Sequence, residues 1–219
     1  MKRPEEEPIK LGGRSSLPGY TLPDTDYDNY MKVTRAVASE DMIAYHIQQI
    51  LDRLDIPREW EHAKRTPERF AKMMLELFTV DEFEFTTFDS TSDEMIVLGP
   101  IPFYTLCAHH IIPFFGNAWV GYVPSKLVAG LSKLPRLVRN ISKGLHVQEE
   151  LTGLIANRLN LELQPLGVGV VVKAEHLCMA MRGIRQPGVI TTTSAMRGVF
   201  ADHSKTAKAE FLEWVRSSV

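Results

Sequence analysis

Cys107-Ala108-His109-His110 holds one of the chain's two cysteines, and His176-Leu177-Cys178 holds the other. Thiolate and imidazole are donors that zinc prefers, and two cysteines with one histidine make a three-ligand set whose fourth position is left for water. An open set of that kind belongs to hydrolytic rather than structural sites. In an extended strand residues i and i+2 share a side, so His176 and Cys178 are expected to project together from one strand. Cys107 and His110, spaced i and i+3, converge only where the chain turns, and Pro113 just beyond is compatible with a strand ending in such a turn. Cys107, His110 and Cys178 are then the candidate metal ligands. His109 and His176 remain nearby as neutral imidazoles suited to proton transfer. An isolated cysteine is more often a small buried hydrophobe, however, so spacing alone leaves the metal and the apolar readings both open.

The elements that must position these residues can be read from period and punctuation. Ser39 is placed to cap a helix with Glu40 and Asp41 in its first turn and an apolar stripe of Ile43, Ile47, Ile50, Leu51 and Leu54, ended by Pro57. Thr66-Pro67 opens a second helix, with Thr66 as cap, Phe70, Met73, Met74 and Leu77 on its buried face, and Arg65, Arg69 and Lys72 on the other. From Glu94 the texture turns to strand: residues 95–98, 118–123 and 168–172 are β-branched or aromatic runs, and 190–194 is a further strand. Helices are expected over about 127–142 and 147–160, and a last one is capped by Ser204 with Phe211, Trp214 and Val215 packed inward. Helices set between strand hairpins, rather than alternating with strands one for one, predict an α+β fold with an antiparallel sheet.

Composition narrows the setting. The chain has 219 residues, 44% hydrophobic and 24% charged, which is ordinary for a globular protein. A net charge of -2 gives no general attraction to nucleic acid or to anionic membranes. No apolar run approaches a membrane span, and the start lacks the apolar stretch of a secretory signal, so reduced thiols and a cytoplasmic location are expected. Residues 1–30, with Pro4, Pro8, Pro18, Pro23 and Gly12-Gly13, read as a flexible tail. Residues 31–90 read as a helical N-terminal region and 91–219 as the catalytic region.

Several motifs, in order, carry a resemblance. Cys107-Ala108-His109-His110-Ile111-Ile112-Pro113-Phe114-Phe115-Gly116 is similar to GTP cyclohydrolase I, and so are residues 130–136 (Gly-Leu-Ser-Lys-Leu-Pro-Arg), 147–152 (Val-Gln-Glu-Glu-Leu-Thr) and 176–183 (His-Leu-Cys-Met-Ala-Met-Arg-Gly). Thr191-Thr192-Thr193-Ser194 and Glu210-Phe211-Leu212 resemble the same family, and the similarity runs from about residue 39 to the end.

The resemblance implies conversion of GTP to 7,8-dihydroneopterin triphosphate and formate, on a tunnelling fold of antiparallel sheets and paired helices. Copies of that fold form an oligomeric barrel, a homodecamer of two pentamers. It implies zinc on Cys107, His110 and Cys178, and acid/base roles for His109 and His176. Glu149 matches the carboxylate that holds the guanine edge, which suits a group accepting from both N1–H and the exocyclic amine. Gln148 is a weaker candidate for the same pocket. Ser132, Lys133, Arg136 and Arg182 match triphosphate contacts. Arg69 and Lys72 match a basic pair that reaches in from a neighbouring subunit. The tail is the candidate seat of any allosteric control.

Four positions depart from the family pattern. Ala108 stands where the family carries Glu, Gly144 and His146 lie where Arg and Gln are common, and Lys208 takes the place of an Arg. The first removes a carboxylate beside a metal ligand and implies an attenuated enzyme. Two rivals follow: a catalytically silent homologue that binds GTP or a pterin as a regulatory or interaction subunit, and a relative such as a deazaguanine reductase, with a nucleophilic cysteine and no need of three metal ligands.

Overall fold

In the computed structural model, which describes residues 39–218, Ser39 accepts a hydrogen bond from the Met42 N–H at 3.4 Å and starts helix α1 (Glu40–Arg53). Helix α1 lies on α2 (Thr66–Phe78). Thr66 is the first helical residue of α2 and not its cap; Arg65 takes that position without a side-chain bond, and Pro67 occupies the first turn. Ile43, Ile47 and Leu51 of α1 are half-buried, but Ile50 and Leu54 are exposed, as is Met73 of α2. One partner helix covers only part of an apolar stripe, so the outer part of each stripe stays in water. The tail assigned to residues 1–30 lies outside the described residues.

Beyond α2 come β1 (Thr87–Asp89), β2 (Ile96–Cys107), β3 (Pro113–Val123), β4 (Leu127–Ala129), α3 (Lys133–Ile141) and β5 (Leu145–His146). They are followed by α4 (Gln148–Leu163), β6 (Gly167–His176), α5 (Leu177–Ala180), β7 (Ile190–Gly198) and α6 (Ala207–Ser217). The main sheet has the order β5-β2-β3-β6-β7. It is antiparallel, as expected, except where two-residue β5 pairs parallel with the end of β2, Leu106 with Leu145 and Cys107 with His146.

Alternation along the central strands divides the interior between the two faces of the sheet. Phe114, Ala118, Val120, Val170, Val172 and Ala174 join Leu134, Leu137, Ile141, Leu151, Ile155 and Leu159 of α3 and α4 in the larger cluster. Trp119 and Val171 point the other way, onto Phe200 and onto Phe211 and Val215 of α6. Gly121 and Gly169 are register partners on that face. A Cβ on Gly121 would lie 2.7 Å from the Phe211 ring, and one on Gly169 2.7 Å from the Phe200 ring. The two missing side chains make the seat for α6.

Four expectations are corrected. The helix read over 127–142 is a strand followed by a shorter helix: β4 pairs with β1, the Ala129 N–H donates to Tyr122 Oη at 3.0 Å, and helix begins only after Gly130. A ladder partner 40 residues away in sequence overrides local helix preference there. Strand β1 accordingly falls inside the stretch read as helical. Ser204 does not cap α6, because its N–H and hydroxyl both bond Asp202 Oδ1, and the helix starts three residues later. Trp214 is 56% exposed: Phe211 and Val215, one turn apart, define the buried side, and Trp214 lies at its edge.

His146 is fully buried, with its Nε2 3.0 Å from the Lys143 carbonyl. Burial pushes its pKa down from 6.5 to about 4, against the backbone groups of Lys143 and Ile141. Between those values the unfolded chain takes up a proton that the folded chain refuses. The contribution of neutral His146 is therefore complete above pH 6.5 and lost as pH falls toward 4. Denaturant titrations of chelator-treated protein at about pH 7 and about pH 4.5 should show His146→Gln losing about 2.5 kcal/mol less stability than the parent. Equal losses would contradict this assignment.

Candidate metal centre and substrate site

The β2–β3 connection turns back on itself immediately after Cys107. The Cys107 N–H donates to the Ile112 carbonyl at 2.9 Å, and the N–H groups of His110 and Ile111 donate to the Cys107 carbonyl at 3.2 and 2.9 Å. Ile111 adopts φ 55 to close it. A β-branched residue in the left-handed region costs on the order of 1–2 kcal/mol, which the surrounding bonds must hold in place.

That turn sets Nδ1 of His110 3.8 Å from Cys107 Sγ, and Nδ1 of His109 at 3.8 Å as well. Cys178 decides between them: the ligand atoms of Cys107, His110 and Cys178 all lie within 4.8 Å of one another. A tetrahedral ion with bonds of about 2.3 Å to sulfur and about 2.0 Å to nitrogen spaces such donors by about 3.6 Å. The three residues therefore fit a metal after a small contraction, and the thiolate/imidazole set suits a borderline-soft ion such as zinc.

Cys178 arrives differently from the strand geometry expected. Strand β6 ends at His176, and Cys178 sits in the single turn α5. The β3–β6 ladder ends at the pair Phe114–His176 because Pro113, without an N–H, opens β3. Freed of a partner, the chain coils after His176 and turns Cys178 toward Cys107. Burial first, then the neighbouring Cys107, pushes the Cys178 thiol pKa up, while Arg182 opposes them.

His176 lies flat on Phe114, ring centroids 4.4 Å apart and planes 8° apart. Desolvation lowers its pKa, and the charge of Glu149 acts the other way, so Glu149 stands close enough to be felt at the ring. Glu149 itself is exposed in the first turn of α4, where the helix dipole favours a carboxylate. Gln148 is buried, and its amide bonds His176, two strand carbonyls and Thr193. Phe114, Thr152 and Thr193, which frame this arrangement, were read from the sequence only as parts of the motifs and given no role in the site. The i, i+4 spacing of Gln148 and Thr152 on α4 was the one available signal.

The other candidates divide. Ser132 and Arg136 line a cleft of about 460 Å³ at the start of α3, which also includes Asp81, Glu82 and Arg139. Lys133 begins α3 with its N–H on the Gly130 carbonyl at 2.8 Å. Arg182 is exposed and near enough to Cys178 to affect it. Arg69 and Lys72 are exposed on α2; Lys72 lies 4.0 Å from Glu40, and no hydrogen bond or ion pair links either residue to the Cys/His group. Ala108 is exposed, and its N–H donates to the His146 carbonyl at 3.0 Å.

A sequence profile of GTP cyclohydrolase I matches residues 43–216. The chain is 49% identical over 164 residues to GTP cyclohydrolase 1 of Hydrogenobaculum sp. (strain Y04AAS1), covering 74% of this chain and 88% of the relative. It is 44% identical to the enzyme of that name from Aquifex aeolicus (strain VF5), covering 81% and 97%, and 40% identical to that of Bacillus subtilis (strain 168), covering 81% and 96%. The match takes in both halves of the Cys/His group and every helix and strand that positions it. The chain belongs to the GTP cyclohydrolase I family of enzymes.

Proposed function

We propose that this protein is a zinc-dependent GTP cyclohydrolase that hydrolyses GTP at C8 of the guanine, releases formate and yields 7,8-dihydroneopterin triphosphate. The observation that carries the reading is the convergence of Cys107, His110 and Cys178 within 4.8 Å in a chain of this family. Zinc on those residues would supply a bound water acidic enough to attack as hydroxide near neutral pH.

The chain's own residues do the remainder. Glu149 accepts from the N1–H and exocyclic amine of guanine, a pair of donors that adenine does not present. His109 and His176 exchange protons with the opening ring and the departing formyl group. Lys133, Arg136 and Arg182, with the Ser132 hydroxyl, take the triphosphate, where guanidinium forks pair with phosphate oxygens. Arg69 and Lys72 serve the site of a neighbouring copy, in a decamer of tunnelling-fold subunits whose strands close a barrel. Their exposure on α2, away from any partner in the Cys/His group, supports that placement.

Ala108 leaves the turn without a carboxylate beside His109, and we infer that the enzyme is slower for it. Incubation with GTP should give pterin absorbance and fluorescence together with formate. Ala108→Glu should raise kcat by about 10- to 100-fold, the usual weight of a group that orients catalytic residues. An unchanged kcat would retire the attenuation. No pterin from either version, with metal bound, would retire the catalytic reading in favour of a silent GTP- or pterin-binding homologue.

Metal content provides a separate test. Elemental analysis should find about one zinc per chain, and Cys107→Ala and Cys178→Ala should each bring it close to zero, since two remaining ligands hold the ion poorly. Chelation should abolish pterin formation and added zinc restore it. Full activity in metal-free protein would overturn the proposal.

A further inference from the structure

Gln148 opens α4 with 2% of its surface exposed, and its amide is committed at both ends. Nε2 lies 3.2 Å from the Val172 carbonyl, 3.0 Å from the Thr191 carbonyl and 3.1 Å from Thr193 Oγ1. Carbonyl oxygens only accept, so the end of the amide facing two of them is its NH2 group. Oε1 therefore faces His176, 2.7 Å from the ring Nε2. An amide oxygen also only accepts, which places the His176 proton on Nε2.

The surrounding hydroxyls run in one direction as well. Thr152 Oγ1 donates to the Gln148 main-chain carbonyl at 2.7 Å. Across the 2.6 Å contact between Thr152 and Thr193, Thr193 must then be the donor, and its oxygen is left to accept from Gln148 Nε2. Reversing any bond of this loop would set two acceptors or two donors against each other in a buried position. Among the described residues no buried side-chain polar atom lacks a partner. Phe114, stacked on the imidazole, fixes the plane of the ring. Nδ1 of His176 has no hydrogen-bond partner among the described residues.

We propose that Gln148, oriented by Thr152, Thr193 and the carbonyls of β6 and β7, is a positioning residue that locks His176 in its Nε2–H tautomer. Nδ1 is thereby the ring atom that accepts a proton from the reacting substrate and returns it. The role in turnover rests on the cyclohydrolase reading; the tautomer does not. It also gives Gln148 a different task from the guanine contact expected from the sequence, because both amide hydrogens are taken up by protein acceptors.

Nitrogen NMR of zinc-loaded protein labelled at histidine, with the His176 signals identified by their loss in His176→Asn, reads the tautomer directly. Nε2 protonated and Nδ1 unprotonated is the expected result, and the reverse would overturn the proposal whether or not any variant folds. Gln148→Leu, similar in size but without an acceptor, should lower kcat by about 10- to 100-fold while KM for GTP stays within about twofold and zinc content is unchanged. Gln148→Glu, which keeps an oxygen opposite Nε2 but sets its other oxygen against the Val172 and Thr191 carbonyls, should recover only part of that loss. A rise in KM at constant kcat would instead make Gln148 a substrate contact and overturn the proposal. Pterin formation with the Nδ1–H tautomer would retire this inference alone. An Nε2–H ring in a protein that makes no pterin would retire the cyclohydrolase reading and leave the tautomer standing.

Discussion

The pairing of Phe114 with His176 at the end of the β3–β6 ladder is the constraint on which the site depends. Phe114 follows the turn that contains Cys107, His109 and His110, so antiparallel pairing necessarily brings the end of β6 to that turn. Two stretches separated by some 65 residues of chain meet because one short register leaves no other place for them. A slip by one residue would send His176 to the face occupied by Trp119 and Val171, away from Phe114 and from α4. The same pairing stacks the imidazole on the aromatic ring, so register and side-chain orientation are set by one contact.

What makes that register firm is that both faces of the sheet are covered. Residues 168–172 carry valine toward α4 on one side and toward Phe200 and α6 on the other, with Gly121 and Gly169 flat enough to admit the rings. Helix α4 is held by Leu151, Ile155 and Leu159 against the larger face. Its first turn then carries Gln148 inward and Glu149 outward from a single rigid element. Buried polar groups within such a frame contribute direction rather than large net stability, because their hydrogen bonds replace those to water.

Much of this was legible in advance. The helix caps at Ser39 and the β-branched runs of β3, β6 and β7 obey local rules, and those elements formed where they were expected. The pair Cys107 and His110 required a turn, and the turn is there. The misreadings have one cause. Leu127–Ala129 became strand through pairing with Thr87–Asp89, and Ser204 lost its cap to Asp202. Cys178 left the strand because the residue of β3 next in line to pair with His176's successor is Pro113, which has no N–H to give. In each case a partner distant in sequence, or a competing acceptor nearby, outweighed the propensity of the segment.

The sequence by itself determined the donor types, the order of the motifs that tie the chain to the GTP cyclohydrolase I family, and the α+β class, since these follow from residue identity and short-range period. Only the tertiary structure brings Cys178 within reach of Cys107 and His110, the pair already named from the sequence, and it groups His110 rather than His109 with the two sulfurs although both imidazoles stand 3.8 Å from Cys107. It also decided which nitrogen of His176 holds its proton. A tautomer is set by whichever acceptor faces the ring, and that acceptor reaches His176 from another element, 28 residues earlier in the chain.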